Sequence, residues 1–164
     1  MSIHPIKEKI LSWKELEARC LLWRMKDEKI VFSNGCFDII HRGHVEYLEL
    51  AKREGTKMVI GLNSDESVRR MHKGPGSPFY DQESRAIVMA ALQFVDVVAI
   101  FDEDTPIELI KLVKPDVLVK GADYDPETLV GADFLKTYGG VVKTIPLTEG
   151  FSTSALVKRI RANQ

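Results

Sequence analysis

Cysteine is scarce in this chain: Cys20 and Cys36 are the only two, and no CxxC pair occurs. A disulfide scaffold and a cysteine-based zinc site both need more thiols, so neither is expected. A surplus of charge is missing as well, the formal net charge being -1. General nucleic-acid and membrane-surface binders rely on a basic excess, so neither partner is expected, although a local basic pocket stays open. No apolar run approaches membrane-spanning length, and the opening stretch MSIHPIKEKI has no signal-peptide core. The cytoplasm is the expected compartment. Also absent are the GxxxxGK[ST], GxGxxG and HExxH fingerprints and a nucleophile elbow.

What is present suits one soluble domain with a real core: 164 residues, 45% apolar and 29% charged. Ser12 and Glu15 have capping-box spacing, and Leu16, Leu21, Leu22 and Trp23 suggest an amphipathic helix of about three turns. Short apolar runs follow: KIVFSN, KMVIGLN, VDVVAIF, DVLVKG and VVKTIPL. Their Val and Ile content and their Gly, Asn, Asp or Pro ends predict strands buried on both faces. Helical patterns separate them, over residues 43–54, over 82–92, after Thr105-Pro106 with Thr105 as cap, and from Ser152 to the basic end Lys158, Arg159 and Arg161. Five alternations of strand and helix predict an α/β fold, a Rossmann-like doubly wound parallel sheet of about five strands flanked by helices. Ligands bind such sheets beyond the carboxyl ends of the strands. KGPGSPFYDQ, residues 73–82, reads as a mobile loop.

GCFDIIHRGH, residues 35–44, sets His41 and His44 three apart at a strand-to-helix turn. Such a pair is a structural feature, a metal site or an anion site. Zinc would need a third Cys or His ligand nearby, and none stands there. Asn34 and Gly35 permit a tight turn and close backbone approach, and a helix N-terminus adds positive partial charge, which together favour phosphate. Cys36 reads as a small residue within that turn more than as a nucleophile. Ser152, Thr153 and Ser154 open the last helix, as an ordinary cap or as a second phosphate site. Lys73 is a solvated loop lysine or one that closes onto phosphate. Arg85 ion-pairs locally or reaches a phosphate, and Asp65 is a helix cap or a pocket carboxylate. Lys120, Gly121 and Asp123 follow a buried strand, where ligands bind. Asp102, Glu103 and Asp104 invite a metal, yet they precede a helix start that favours acidic residues, which is the preferred reading. No protein metal site is therefore expected.

The blocks NGCFDIIHRGHVEYLELAK, GLNSDESVR, KGP, VDVVAIFDEDTP, PDVLVKGADYDPE and STSALVKRI occur in an order that resembles the cytidylyltransferase-like branch of the HxGH nucleotidyltransferases. More narrowly, they resemble the D-glycero-β-D-manno-heptose 1-phosphate adenylyltransferase domain of ADP-heptose synthases. The resemblance covers about residues 27–162. It divides the chain into an N-terminal helical segment, 1–26, and a nucleotidyltransferase domain, 27–164. It implies attack of a sugar 1-phosphate on the α-phosphorus of ATP, with Mg²⁺ carried mainly by the triphosphate and pyrophosphate leaving. It implies catalytic roles for His41, His44, Lys73, Ser152 and Thr153. Nucleotide binding falls to Asn34, Gly35, Cys36, Phe37, Gly43, Lys120, Gly121, Asp123 and Ser154, and substrate binding to Asp65 and Arg85. Ser77 stands where relatives often carry Arg, which bears on the sugar, and Ala122 replaces a second glycine. Leu147 stands where glycerol-3-phosphate cytidylyltransferases usually carry Arg, which tilts the reading towards ATP. A homodimer is expected, with a separate sugar kinase and phosphatase in the pathway. A cytidylyltransferase for glycerol 3-phosphate, an FAD-synthetase-like enzyme and a non-catalytic nucleotide-binding module remain the alternatives.

Overall fold

The structure is a computed structural model that describes residues 5–72, 74 and 76–162. Five strands, β1 (Ile30–Gly35), β2 (Lys57–Asn63), β3 (Val97–Phe101), β4 (Val117–Gly121) and β5 (Val141–Ile145), form one parallel sheet in the order β3-β2-β1-β4-β5. Seven α-helices connect or flank them: α1 (Trp13–Arg24), α2 (Arg42–Lys52), α3 (Asp65–Arg70), α4 (Gln82–Ala91), α5 (Ile107–Val113), α6 (Ala132–Lys136) and α7 (Thr153–Ala162). The chain winds outward from β1 to β3, then returns to place β4 on the other side of β1. That reversal opens a crevice between β1 and β4 at their carboxyl ends.

Strand β1 explains why both faces are buried. Ile30 and Phe32 belong to a core shared with α1, α5 and α6, while Val31 points to a second core shared with α2 and α4. Side chains alternate along a strand, so an unbroken apolar run serves two cores at once. Strand β5 departs from that expectation. It is an edge strand with Val141 46% exposed, and its Lys143 pairs with Glu54 in water.

The N-terminal segment covers the opposite edge. Ile10 bridges Val98, Leu11 N–H donates to Val98 O at 3.0 Å, and Trp13 Nε1 donates to Ile100 O at 2.9 Å. The predicted capping box closes, with Ser12 accepting from Glu15 N–H and the Glu15 carboxylate taking Ser12 N–H at 2.8 Å. The buried stripe of α1 is Leu16, Cys20 and Trp23, spaced by four and three, whereas Leu21 and Leu22 are 57% and 54% exposed. The helical period puts those two leucines on the solvent side. Both tryptophans thus pack on the chain's own sheet, and α1 shares the core of the strands. Helix α5 begins at Ile107 with no side-chain cap, so Thr105 does not fill the expected capping role.

Candidate active site

Above the carboxyl ends of β1 and β4 lies a cleft of about 770 Å³. Its floor is the β1–α2 turn, Asn34 to Phe37, and its two walls are the first turns of α2 and α7. Thirteen residues picked from the sequence line it together: Asn34, Gly35, Cys36, Phe37, His41, Gly43, His44, Lys120, Gly121, Asp123, Ser152, Thr153 and Ser154. Lys73 lies outside the described residues.

His41 caps α2 from an extended backbone, and its N–H donates to His44 Nδ1 at 3.4 Å. An accepting Nδ1 leaves the proton of a neutral His44 on Nε2. The two rings stack with centroids 3.9 Å apart, and His44 meets the Phe37 ring edge-on. Partial burial holds the His41 imidazole below its usual range. Its buried Nδ1 has no partner among the described residues. Gly43 sits at a close approach, where a Cβ would stand 3.1 Å from Phe151 Cβ and 3.2 Å from the His41 ring. Beneath the pair, Tyr47 of α2 bonds Ser33 Oγ at 2.8 Å and donates to Val119 O at 3.0 Å. One hydroxyl thereby ties the helix to the strands on both sides of the crevice, and burial raises its pKa.

Across the cleft, Ser152 Oγ accepts from Ala155 N–H at 3.1 Å, and Thr153 Oγ1 donates to Ile39 O at 3.4 Å. Both hydroxyls cap and tether the helix start in this state; Ala155 N–H is taken by Ser152 Oγ, and the N–H groups of Thr153 and Ser154 are the ones an anion at this helix start would meet. Phe151, unnoticed in the sequence, lies nearly parallel to His41 with centroids 6.3 Å apart and under Arg42. Lys158 and Arg161 of α7 also line the cleft. Their spacing from Ser154, four and then three, was the signal available for them.

Lys120 Nζ donates to Asn34 O at 2.7 Å and lies 5.4 Å from the Tyr124 ring centroid. Gly121 makes room for Asp123, whose Oδ1 would stand 2.6 Å from a Cβ at that position. Cys36 is buried against Asn63 and Met71, with Sγ 3.6 Å from the Met71 sulfur, which agrees with a packing role. Asp38 accepts from Phe79 N–H at 2.9 Å and Tyr80 N–H at 3.0 Å, fastening the 76–80 loop, with Ser77, to the rim.

Two expected substrate contacts are not brought to the cleft. Arg85 is fully buried and donates to Tyr80 O, Cys36 O, Asn63 O and Asp65 Oδ1, so its guanidinium is spent inside the fold. Asp65 is its partner, and neither residue lines the cleft. The acidic run is also engaged elsewhere: Ser64 Oγ donates to Asp102, and Arg70 pairs with Asp104 at 2.8 Å. Among the described residues, no group of three or more His, Cys, Asp or Glu is placed to hold a metal.

Similarity to known proteins fits this geometry. The chain is 46% identical over 157 residues to the bifunctional protein HldE of Magnetococcus marinus, covering 96% of this chain and 32% of that protein. It is 53% identical over 138 residues to the HldE of Alcanivorax borkumensis, covering 84% of this chain and 29% of that one. The chain therefore spans about a third of the length of these curated relatives. A lipopolysaccharide core biosynthesis protein from Thermoplasma volcanium superposes with a TM-score of 0.60 at 27% identity, over 74% of this chain and 97% of that one. A pantoate-β-alanine ligase from Francisella tularensis shares the fold at a TM-score of 0.61 and 17% identity, over 85% of this chain and 67% of that one. Residues 32–159, well over half of the chain, match the sequence profile described as cytidylyltransferase-like. The chain belongs to the cytidylyltransferase-like family of nucleotidyltransferases.

Proposed function

We propose that this chain transfers AMP from ATP to a sugar 1-phosphate, D-glycero-β-D-manno-heptose 1-phosphate, giving ADP-heptose and pyrophosphate. The observation that carries the reading is the pairing of two helix starts across one cleft, the stacked His41–His44 pair on one and Ser152-Thr153-Ser154 on the other. Adenylyl transfer and the heptose are supported by about 50% identity to proteins named HldE and by the ordered motifs of the sequence.

An oxygen of the sugar phosphate attacks the α-phosphorus, the bond to the bridging oxygen breaks, and pyrophosphate leaves with that oxygen. A phosphomonoester with a second pKa of about 6 is already largely dianionic at neutral pH, so no strong base is required. The protein's task is positioning and charge stabilisation. His44 Nε2–H and the His41 ring donate to the α-phosphate region as charge builds, and Gly35 to Phe37 supply the backbone cradle. The α7 start holds the β- and γ-phosphates, with Lys73 as a further phosphate contact. Lys120, Gly121 and Asp123 line the nucleoside and sugar side. Mg²⁺, carried mainly by the triphosphate oxygens with few protein ligands, would supply charge neutralisation there. A kinase step and a phosphatase step supply the sugar 1-phosphate, and a homodimer in the cytoplasm belongs to the same proposal.

The test is pyrophosphate release with Mg²⁺, pairing ATP or CTP with heptose 1-phosphate, glycerol 3-phosphate and FMN. Release only with ATP and heptose 1-phosphate is the expected result. Release with CTP and glycerol 3-phosphate, or with ATP and FMN, overturns the heptose and keeps the site. ATP binding with no release from any pair points to a non-catalytic nucleotide-binding module.

A further inference from the structure

We propose that Arg85 is a positioning residue that presets the phosphate-binding turn from behind, by holding the Cys36 carbonyl and so aiming the next backbone N–H at the nucleotide. Its side chain is 0% exposed and reaches three separate segments around the cleft. Nη1 donates to Cys36 O at 2.6 Å and to Asn63 O at 2.9 Å, Nε to Tyr80 O at 3.0 Å, and Nη2 to Asp65 Oδ1 at 2.7 Å. Four donations in three directions use the planar fork of a guanidinium; an ammonium offers three donors from a single point.

The geometry of the turn gives this contact its consequence. The Cys36–Phe37 peptide is trans, since the one cis bond among the described residues is Ser77–Pro78. In a trans peptide the C=O and the following N–H point oppositely. Fixing Cys36 O on Arg85 therefore directs Phe37 N–H away from Arg85. Cys36 and Phe37 line the cleft and Arg85 does not, so the N–H faces the side where phosphate binds. Phe37 also holds a left-handed backbone at φ 42, which a bulky residue keeps only when its surroundings impose it. Left-handed residues in such turns gather N–H groups into anion-binding concavities. Through Tyr80 O the same guanidinium anchors the loop that Asp38 grips by Phe79 and Tyr80 N–H. Asp65 supplies the charge that lets a cation sit in this interior, and thereby acts through Arg85.

The inference rests on the cleft being a nucleotide site, and the experiment separates the two claims. Arg85→Lys, Arg85→Met and Asp65→Asn are compared with the unaltered protein for ATP affinity by calorimetry, for kcat and KM in pyrophosphate release, and for Tm. The expected result is ATP binding weakened tenfold or more and kcat reduced by roughly 10² in Arg85→Lys, with KM for the acceptor unchanged. Asp65→Asn should show the same pattern in weaker form. If Arg85→Met does not fold, the other two variants carry the comparison. Unchanged ATP affinity and kcat in folded Arg85→Lys overturns the inference, as does a loss that tracks only the unfolded fraction. Should the unaltered protein bind ATP without turnover, the transfer reading fails while ATP affinity still judges Arg85. No ATP binding by the unaltered protein overturns both.

Discussion

Helix α2 buries Gly43, Tyr47, Leu48 and Ala51 beneath the cleft, whereas α7 buries none of its residues. Both present an N-terminus to the same space, and both carry the side chains expected to meet phosphate. The first is bolted to the sheet at its switch point by Tyr47 and by a full apolar face. The second hangs beyond the edge strand β5 on a weak bond from Thr153 to Ile39 and on the packing of Phe151 against Gly43 and His41. One wall is fixed by the core, and the other is held by few contacts. Groups that stabilise a transition state belong on the rigid wall, since they must not be reorganised during reaction. In the proposed reaction, the groups that grip the leaving pyrophosphate are those of the less firmly packed wall, which suits release.

Truncation should break the comparison most visibly. Leu48→Ala removes a side chain with no exposure, and should cost about 2–5 kcal/mol of stability. Leu156→Ala on α7 should cost under about 1 kcal/mol, and denaturant melts of the two variants check the contrast. His44→Ala follows: kcat should fall by roughly 10²–10³ while Tm moves little, because the ring faces the cleft. Ser152→Ala removes the bond to Ala155 N–H, and a lost cap of about 1 kcal/mol should appear as a several-fold higher KM for ATP. Its global Tm should stay in place, since α7 is not part of the cooperative core.

The smallest effect is on pH. Burial lowers the His41 pKa below its unfolded value. As pH falls below about 6.5, the unfolded chain binds a proton that the folded protein refuses, so stability declines towards acid and is unaffected above that range. His41→Gln should flatten this slope in melts between pH 5 and 7. A bound triphosphate favours the charged ring, so ATP binding should take up protons near neutral pH. Calorimetry in two buffers of different ionisation enthalpy reads that uptake.

The rigid wall was also the legible one. Apolar runs of β-branched residues marked β1 to β4 because parallel strands are buried twice, and HRGH marked the turn into α2. Strand β5 misled because VVKTI has the same composition at an edge, where one side meets water. Arg85 was left between a local ion pair and a phosphate contact because burial of a guanidinium depends on acceptors at Cys36, Asn63, Asp65 and Tyr80, brought near only by folding. Phe151 and Asp38 act across the cleft on residues far away in sequence, so no local period announces them. Leu21 and Leu22 show the converse: adjacent leucines cannot both lie on one narrow helical stripe.

The most direct test of the account is the fate of label from ATP radiolabelled at the α-phosphate, incubated with Mg²⁺ and heptose 1-phosphate. The account predicts that all transferred label enters the sugar nucleotide, that none appears in ADP, and that His44→Ala slows the transfer by roughly 10²–10³. Label left in ADP, with transfer of a γ-label to the sugar in a parallel reaction, would contradict attack at the α-phosphorus and with it the assignment of the two walls.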